Sequence, residues 1–358
     1  MLLSDLDFSY PSSLIATEPS RPSRIMAVDI GVTADSTLLP QEWSMGELLN
    51  FFREGDVLVL NNTRVLPRRI FSLPLEQAGE RGERDALEIL FLKEHESGVW
   101  DVLFPSKKYK IGDHILLPEI SMELIEKGRP QKVRLSQPVK EEYFSKYGEL
   151  PLPPYIQKAR ARRHSQEADQ DWYQTVFAKV PGSFAAPTAS LHFQKKDLDD
   201  LQKKGVVLVE LTLHVGLGTF LPVTVADLND HRMHEEWFEV PDPTWQEVVL
   251  AKQQGRRVFA LGTTATRALE SVALGKISGE GRWGNTDLLI QPPFQFQIVD
   301  VLLTNFHQPA STLLALVSAF AGLKCVKKSY EWAIAQKFRL FSYGDLSVWI
   351  KPTSMKRN

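Results

Sequence analysis

Two rhythms of apolar residues divide the chain. Between Asp56 and Pro138 short strand-like runs follow one another: DVLVLNN (56–62), RRIFSL (68–73), ALEILFLKE (86–94), VWDVLFPS (99–106), GDHILLP (112–118) and KVRLSQP (132–138). Gly, Pro and charged turns separate them, and short strands without intervening helices predict a small barrel or sandwich. After Leu150 the rhythm changes. PLPPYI (151–156) is expected to be extended, because each proline fixes its own dihedral and restricts its predecessor, and ARARRHSQEADQDW (159–172) reads as a polar loop.

Beyond that loop, strands alternate with helices. VVLVELTLHV (206–215), RRVFALG (256–262), DLLIQ (287–291) and IVDVLLTNF (298–306) are rich in β-branched residues and apolar on both faces, as strands covered by helices are. Thr244 with Glu247 forms a capping-box signature, Ser311 is placed to cap TLLALVSAFAG, and a last helix is expected from about Lys327 to Phe338, before a final strand. The predicted class is α/β: a mixed-sheet main domain from residues 1–60 and 150–358, with a small β-barrel domain inserted over 61–149. There is no internal repeat or low-complexity tract.

Composition changes this picture only at its limits. With 358 residues, 43% of them hydrophobic, the chain buries a substantial core. The single cysteine, Cys325, excludes an intrachain disulfide and multi-cysteine metal sites, and fits a reducing compartment. MLLSDLDFSYPSS has acids where a secretory signal needs basic residues, and the longest apolar run, Leu313 to Gly322, is too short to span a bilayer. A cytoplasmic protein without membrane association is expected. No heptad or long edge strand points to self-association, so a monomer is expected.

A net charge of −2 hides local imbalance. Arg64, Arg68 and Arg69 cluster after NNT; Lys107, Lys108 and Lys110 surround Tyr109; Lys158, Arg160, Arg162 and Arg163 follow the proline-rich segment. Phosphate binding depends on local positive charge, so RNA contacts are compatible with a mildly acidic total. Solubilising surface charge accounts equally well for any one cluster.

The chemistry concentrates between Pro181 and Asp345, in polar, glycine-rich strings at the ends of apolar runs: PGSFAAPTASLHF (181–193), LHVGLGTFLPV (213–223), DHRMHEEW (230–237), LGTTATRALES (261–271), TNFHQPASTLL (304–314) and FSYGDL (341–346). Unpaired polar groups in a core are costly, so this repetition reads as one composite site. In LGTTATRALES a buried strand ends at Gly262, Thr263 and Thr264 form the turn, and a helix is expected to begin near Thr266, with Arg267 in its first turn. Free N–H groups there suit carboxylate or phosphate, although ordinary threonine capping fits the same letters. Gly216 and Gly218 lack the full GxGxxG spacing, so a dinucleotide site is not supported, and His214 points from the strand end into that space or is satisfied by a carbonyl.

His231 and His234 lack the HExxH arrangement, and a third metal ligand would have to come from His192, His214 or His307. Residue type favours sugar hydrogen bonding or proton carriage, and no metal is expected. Ser190 is not in a GxSxG elbow, and Cys325 has no neighbouring histidine in sequence, so neither makes a convincing nucleophile.

Taken in order, PLPPYI, YQTVFAKVPGSFAAPTASLHF, LHVGLGTF, DHRMHEEW, GTTATRALES, TNFHQPASTLLALVSAFAG and FSYGD closely resemble the S-adenosylmethionine:tRNA ribosyltransferase-isomerase family of queuosine biosynthesis. FSYPSSLIATEPSRPSR and GDVLVLNNTRVLPRR resemble its N-terminal segments. The resemblance implies transfer and isomerisation of the ribosyl group of S-adenosylmethionine, a consumed co-substrate rather than a cofactor, onto 7-aminomethyl-7-deazaguanine in tRNA. It implies epoxyqueuosine-tRNA as product, with adenine and methionine released. An inert tRNA-binding protein of the same fold, or another S-adenosylmethionine-dependent glycosyl-transferring enzyme, is the alternative.

On this resemblance His192 and His214 are expected to move protons, and Asp230 and His234 to contact ribose or leaving group. Thr264 and Arg267 would take the methionine carboxylate; Thr188, Gly216, Gly218, Thr219, Thr263, Asn305 and His307 would complete the pocket; Phe193 or Phe306 would stack on adenine. Arg64, Arg68, Arg69, Lys107, Lys108, Arg160, Arg162 and Arg163 would hold tRNA phosphates. Where the family reads APTAGLHF, this chain has Ser190 at the glycine position: with negative φ the serine is harmless or a new donor, with positive φ it lowers activity. The segment Pro19–Arg24 is shorter than in the family, which leaves the N-terminal arm without an assigned role.

Overall fold

The computed structural model describes residues 1–30, 40–73, 86–216, 218, 221–278 and 281–352. Its strands, in chain order, are β1 (Ile25–Asp29), β2 (Gln41–Trp43), β3 (Val57–Asn61), β4 (Thr63–Val65), β5 (Arg69–Phe71), β6 (Glu88–Glu96), β7 (Val99–Leu103), β8 (His114–Leu117), β9 (Ile120–Glu126) and β10 (Gln131–Leu135). They continue with β11 (Val180–Ser183), β12 (Val207–Leu213), β13 (Glu236–Glu239), β14 (Val258–Leu261), β15 (Trp283–Thr286), β16 (Val301–Asn305) and β17 (Leu346–Ile350).

Nine strands form one mixed sheet in the order β15-β13-β12-β3-β14-β16-β17-β1-β2. At its centre β12, β3, β14 and β16 run parallel, in register from Val207 opposite Val57 and from Phe259 opposite Leu58 and Val301. The flanking pairs β12 with β13 and β16 with β17 are antiparallel. Alternation explains why the central strands carry no polar face. Val57, Val59, Val258 and Ala260 join the cluster containing Ala265, Ala268 and Leu269 of the helix Thr263–Ala273. Leu58, Leu60, Phe259 and Leu261 join the opposite cluster, with Leu48 and Phe52 near the helix Met45–Phe51 and Leu198 and Leu201 of the helix Lys195–Lys203. A strand buried on both faces needs apolar residues in both phases of its pleat.

The second sheet is antiparallel, in the order β5-β6-β7-β10-β9-β8. A backbone hydrogen bond from Leu73 N–H to the Leu116 carbonyl (2.8 Å) joins its two ends, so it closes almost completely into a barrel. Ile70, Ile89, Phe91, Val102, Met122 and Leu124 fill its interior, and Phe144 of the helix Glu141–Tyr147 plugs it. The expected mixed α/β architecture with a small barrel is therefore the one found. Its six strands lie in the chain between β4 and that plugging helix.

Local expectations fail where tertiary contacts compete. The helix at Gly262 starts at Thr263 instead of near Thr266, because Gly262, at φ 98°, turns the strand directly into it. Thr244 lies inside the helix Asp242–Gln253, and its hydroxyl donates to the Glu210 carbonyl instead of forming a capping box. DLLIQ is not a strand; β15 precedes it. PLPPYI is only half extended, since a helix runs from Pro154 to Ala159, and the polar segment after it contains the short helix Asp169–Trp172. The last helix spans Leu323–Ala335, so it starts and ends earlier than expected.

Candidate active site

The parallel strands β3, β12, β14 and β16 deliver Asn61 to Thr63, His214 to Gly216, Gly262 to Thr264 and Asn305 to His307 to one edge of the sheet. Carboxyl ends of parallel strands are the usual ligand position in such sheets. Asn61 ties two of these ends together. Its side-chain amide donates to the Leu213 carbonyl (3.0 Å), while its Oδ1 accepts from Leu213 N–H (3.0 Å) and Thr63 N–H (3.2 Å).

That clamp sets up His214. The Thr63 hydroxyl lies 2.8 Å from His214 Nδ1, and Trp237 stacks on the imidazole, with centroids 5.1 Å apart at 24°. PGSF closes the other side. Ser183 Oγ accepts from Val215 N–H (2.9 Å), and a Cβ on Gly182, whose φ is 152°, would lie 2.6 Å from His214 Nε2. Only glycine lets the backbone approach the ring so closely. Partial burial lowers the His214 pKa, favouring neutral imidazole. Among the described residues Nε2 has no hydrogen-bond partner.

His192 sits in a different environment. It ends the 3-10 turn Thr188–His192 and is buried. Thr188 Oγ1 donates to Asn305 Oδ1 (2.8 Å), which orients the amide so that Asn305 Nδ2 donates to His192 Nε2 (3.0 Å). Ser23 Oγ lies 2.6 Å from Nδ1 and donates onward to the Ser20 carbonyl (3.3 Å), which assigns the proton to Nδ1. Burial, with the charges of Arg21 and Arg339, pushes the His192 pKa down to about 3. Both its nitrogens are occupied. His307 shares the low pKa of His192, pushed down to about 3 by burial, but its hydrogen bonding is that of His214: Nε2 meets Thr304 Oγ1 at 2.9 Å, and Nδ1 has no partner among the described residues.

At the start of the helix Thr263–Ala273 the arrangement is ionic. Arg267, buried, donates through Nη1 to Glu236 Oε2, and Glu236 Oε1 accepts from Gly216 N–H (2.9 Å). The Thr264 hydroxyl and Arg267 Nη2 are buried and have no partner among the described residues. Thr263 is buried beside them. This corner presents free donors while its arginine is already neutralised by Glu236. Sequence spacing could not show that pair, because Glu236 lies in the HEEW string of another strand.

Other expected residues separate. His234 and Asp230 are exposed after β12, and a Cβ on Gly218 would touch His234 Cδ2 at 3.2 Å. His231, beside it, has its pKa lowered by burial and then by His234. Thr219 lies outside the described residues. Phe193 and Phe306 are corrected: Phe193 is packed in the core under β3 and β14, and Phe306 sits edge-on to Tyr330 and Phe338, so neither ring offers a stacking face. Apolar burial outweighed the expected ligand contact.

The basic clusters also divide. Arg69, 1% exposed, pairs with Glu149 (2.9 Å); Arg68 pairs with Glu141 (2.5 Å) over the Phe144 ring; Arg160 pairs with Asp169 (2.6 Å) and donates to the Thr17 carbonyl. These three are structural ion pairs, which corrects the expectation of phosphate contacts. Arg64, Lys107, Lys108, Arg162 and Arg163 are exposed, with Arg163 also placed over Phe71. Among the described residues no group of three His, Cys, Asp or Glu side chains is arranged to hold a metal, and no helix is long and apolar enough to cross a membrane.

Comparison with known proteins decides the family. The model of the family described as "Queuosine biosynthesis protein" matches residues 3–349. The chain belongs to this family. An S-adenosylmethionine:tRNA ribosyltransferase-isomerase of Syntrophotalea carbinolica is 44% identical over 356 residues, covering 96% of this chain and 98% of its own. One of Sulfurihydrogenibium sp. is 39% identical over 351 residues, with the same coverage. Among solved structures, S-adenosylmethionine tRNA ribosyltransferase from Thermotoga maritima superposes with a TM-score of 0.52 at 28% identity, covering 97% of this chain and all of the other. Within the family's strongest string, Ser190 lies in the 3-10 turn and is not among the residues of positive φ, so the backbone accepts serine there. Its hydroxyl is buried and has no partner among the described residues.

Proposed function

We propose that this protein transfers and isomerises the ribosyl group of S-adenosylmethionine onto the aminomethyl group of 7-aminomethyl-7-deazaguanine in tRNA, yielding epoxyqueuosine-tRNA, adenine and methionine. Family membership and the names of its relatives support the class of reaction. The observation that carries the site is His214: a neutral imidazole fixed at Nδ1 by Thr63, with Nε2 unpartnered among the described residues, at the carboxyl ends of the parallel strands.

In this reading Nε2 of His214 takes the C5′ proton beside the sulfonium. The proton held by His214 passes to the departing adenine, the substrate amine attacks the sugar and gives up a proton to solvent, and epoxide closure expels methionine. His192 holds no lone pair free for this step, because Asn305 donates to it; it positions Asn305 and Thr188 at the pocket wall. The methionine carboxylate meets the helix start at Thr263 and Thr264, with Arg267 Nη2 behind. Exposed Arg64, Lys107, Lys108 and Arg162 supply phosphate contacts around the entering anticodon loop. A tRNA substrate fits a cytoplasmic protein.

Incubation with S-adenosylmethionine and tRNA carrying the 7-aminomethyl base tests the proposal. Release of adenine and methionine in equal amounts is expected. Methyl transfer, or no adenine despite binding of both substrates, would overturn it.

A further inference from the structure

The arm Pro19–Arg24 forms the wall behind His192. Ser23 is buried against the imidazole, and Arg21 Nη2 donates to the Leu191 carbonyl (3.0 Å). A cleft opens between Ser20, Arg21 and Ser23 of the arm, His192, and Ser342 with Tyr343 of the FSYGD loop. It is a shallow recess with roughly 230 Å³ of free space, the solvent at its mouth included, and its interior has room for about one water. A buried small molecule does not fit such a shape, whereas a charged group presented from outside does.

The charge of the cleft is one-sided. No carboxylate is among its lining residues. Arg21 is exposed and spends one hydrogen bond on Leu191, with no acidic partner among the described residues. Arg339 adds a second guanidinium close enough to act on His192; it donates to the Glu18 carbonyl, and Asp345, held by the Arg339 and Arg24 backbone N–H groups, offsets part of its charge. Hydroxyls of Ser20, Ser23 and Ser342 line the same space.

We propose that this cleft seats one backbone phosphate of the RNA substrate, with Arg21 as its principal contact and Arg339 behind it. The inference rests on the proposed tRNA substrate. Through the bond from Arg21 to Leu191, the phosphate would be registered against the turn that carries Thr188, Ser190 and His192.

The test uses the full chain with Arg21→Gln and Arg21→Lys, reading dissociation constants for tRNA across a salt series and for S-adenosylmethionine. Arg21→Gln is expected to weaken tRNA about 3- to 10-fold and to reduce the salt slope by about one, with Arg21→Lys closer to wild type. S-adenosylmethionine affinity should stay unchanged. Unchanged tRNA binding overturns the seat, as does equal weakening of both substrates, or equal loss in the lysine variant. Because binding is read without turnover, a wild-type protein that binds tRNA through Arg21 but releases no adenine would overturn the ribosyl-transfer reading and leave the seat standing.

Discussion

His192 and His214 lie in consecutive polar strings and near the same edge of the sheet, yet their surroundings give them opposite capacities. Around His192 every polar atom of the ring is taken: Asn305 donates to one nitrogen, Ser23 lies against the other, and burial with two guanidiniums excludes the proton that would make it an acid. Around His214 one nitrogen is fixed by a hydroxyl, a tryptophan holds the plane, and a glycine clears the space at Nε2. Whether a histidine's second nitrogen is left unpaired decides whether it can take a proton. Both are buried enough to be neutral, so protonation state alone would not separate them.

The sharpest way to break this contrast is to remove each ring. His214→Ala is expected to slow single-turnover adenine release by about 10² to 10⁴ with little change in Tm. His192→Ala should instead lower stability by about 2–4 kcal/mol, through a cavity and unpaired buried groups, with a smaller effect on the chemical step. Reversal of the two phenotypes would exchange the roles.

Next in size is the ion pair behind the His214 loop. Glu236→Ala leaves Arg267 buried without its carboxylate and frees Gly216 N–H, so a loss of about 3–5 kcal/mol is expected in denaturant melts. A change under about 1 kcal/mol would mean that water or substrate already replaces Glu236. Gly182→Ala places a methyl against His214 Nε2 and strains the backbone, and adenine release should fall by about 10² while the fold persists.

Acid tests the burial of His192 through stability. His192 titrates near 6.5 when unfolded and near 3 when folded, so its contribution is complete above 6.5 and declines as pH falls towards 3. The slope approaches about 1.4 kcal/mol per pH unit in that window. A variant with asparagine at 192 should show a shallower decline in urea melts between pH 6 and 4. The smallest effect expected is at Ser190. Its unpartnered buried hydroxyl makes Ser190→Ala neutral or stabilising by up to about 1 kcal/mol, while a destabilisation larger than that would reveal a partner for the hydroxyl.

Much of the architecture was legible from pattern, because a strand covered on both faces must be apolar in both phases. Val258 to Leu261 read directly as a central strand, whereas Val57 to Leu60, counted in sequence with the run of barrel strands, lies at the centre of the main sheet. The barrel followed from a succession of short strands, each bounded by turn residues. Legibility ended where a residue's partner lies far along the chain. Arg68, Arg69 and Arg160 looked like a phosphate surface until Glu141, Glu149 and Asp169 neutralised them, and the Arg267 pair with Glu236 spans two strings that local spacing treats separately.

The sequence by itself determined the fold class, the ordered strings that mark the family, and the polar strand ends that had to converge, since periodicity and composition act over a few neighbours. Only the tertiary structure decided which histidines keep an unpaired nitrogen, which arginines keep an uncompensated charge, and which phenylalanines sink into the core. Those properties depend on desolvation and on hydrogen-bond partners brought together from distant parts of the chain, and neither exists until the sheet has formed.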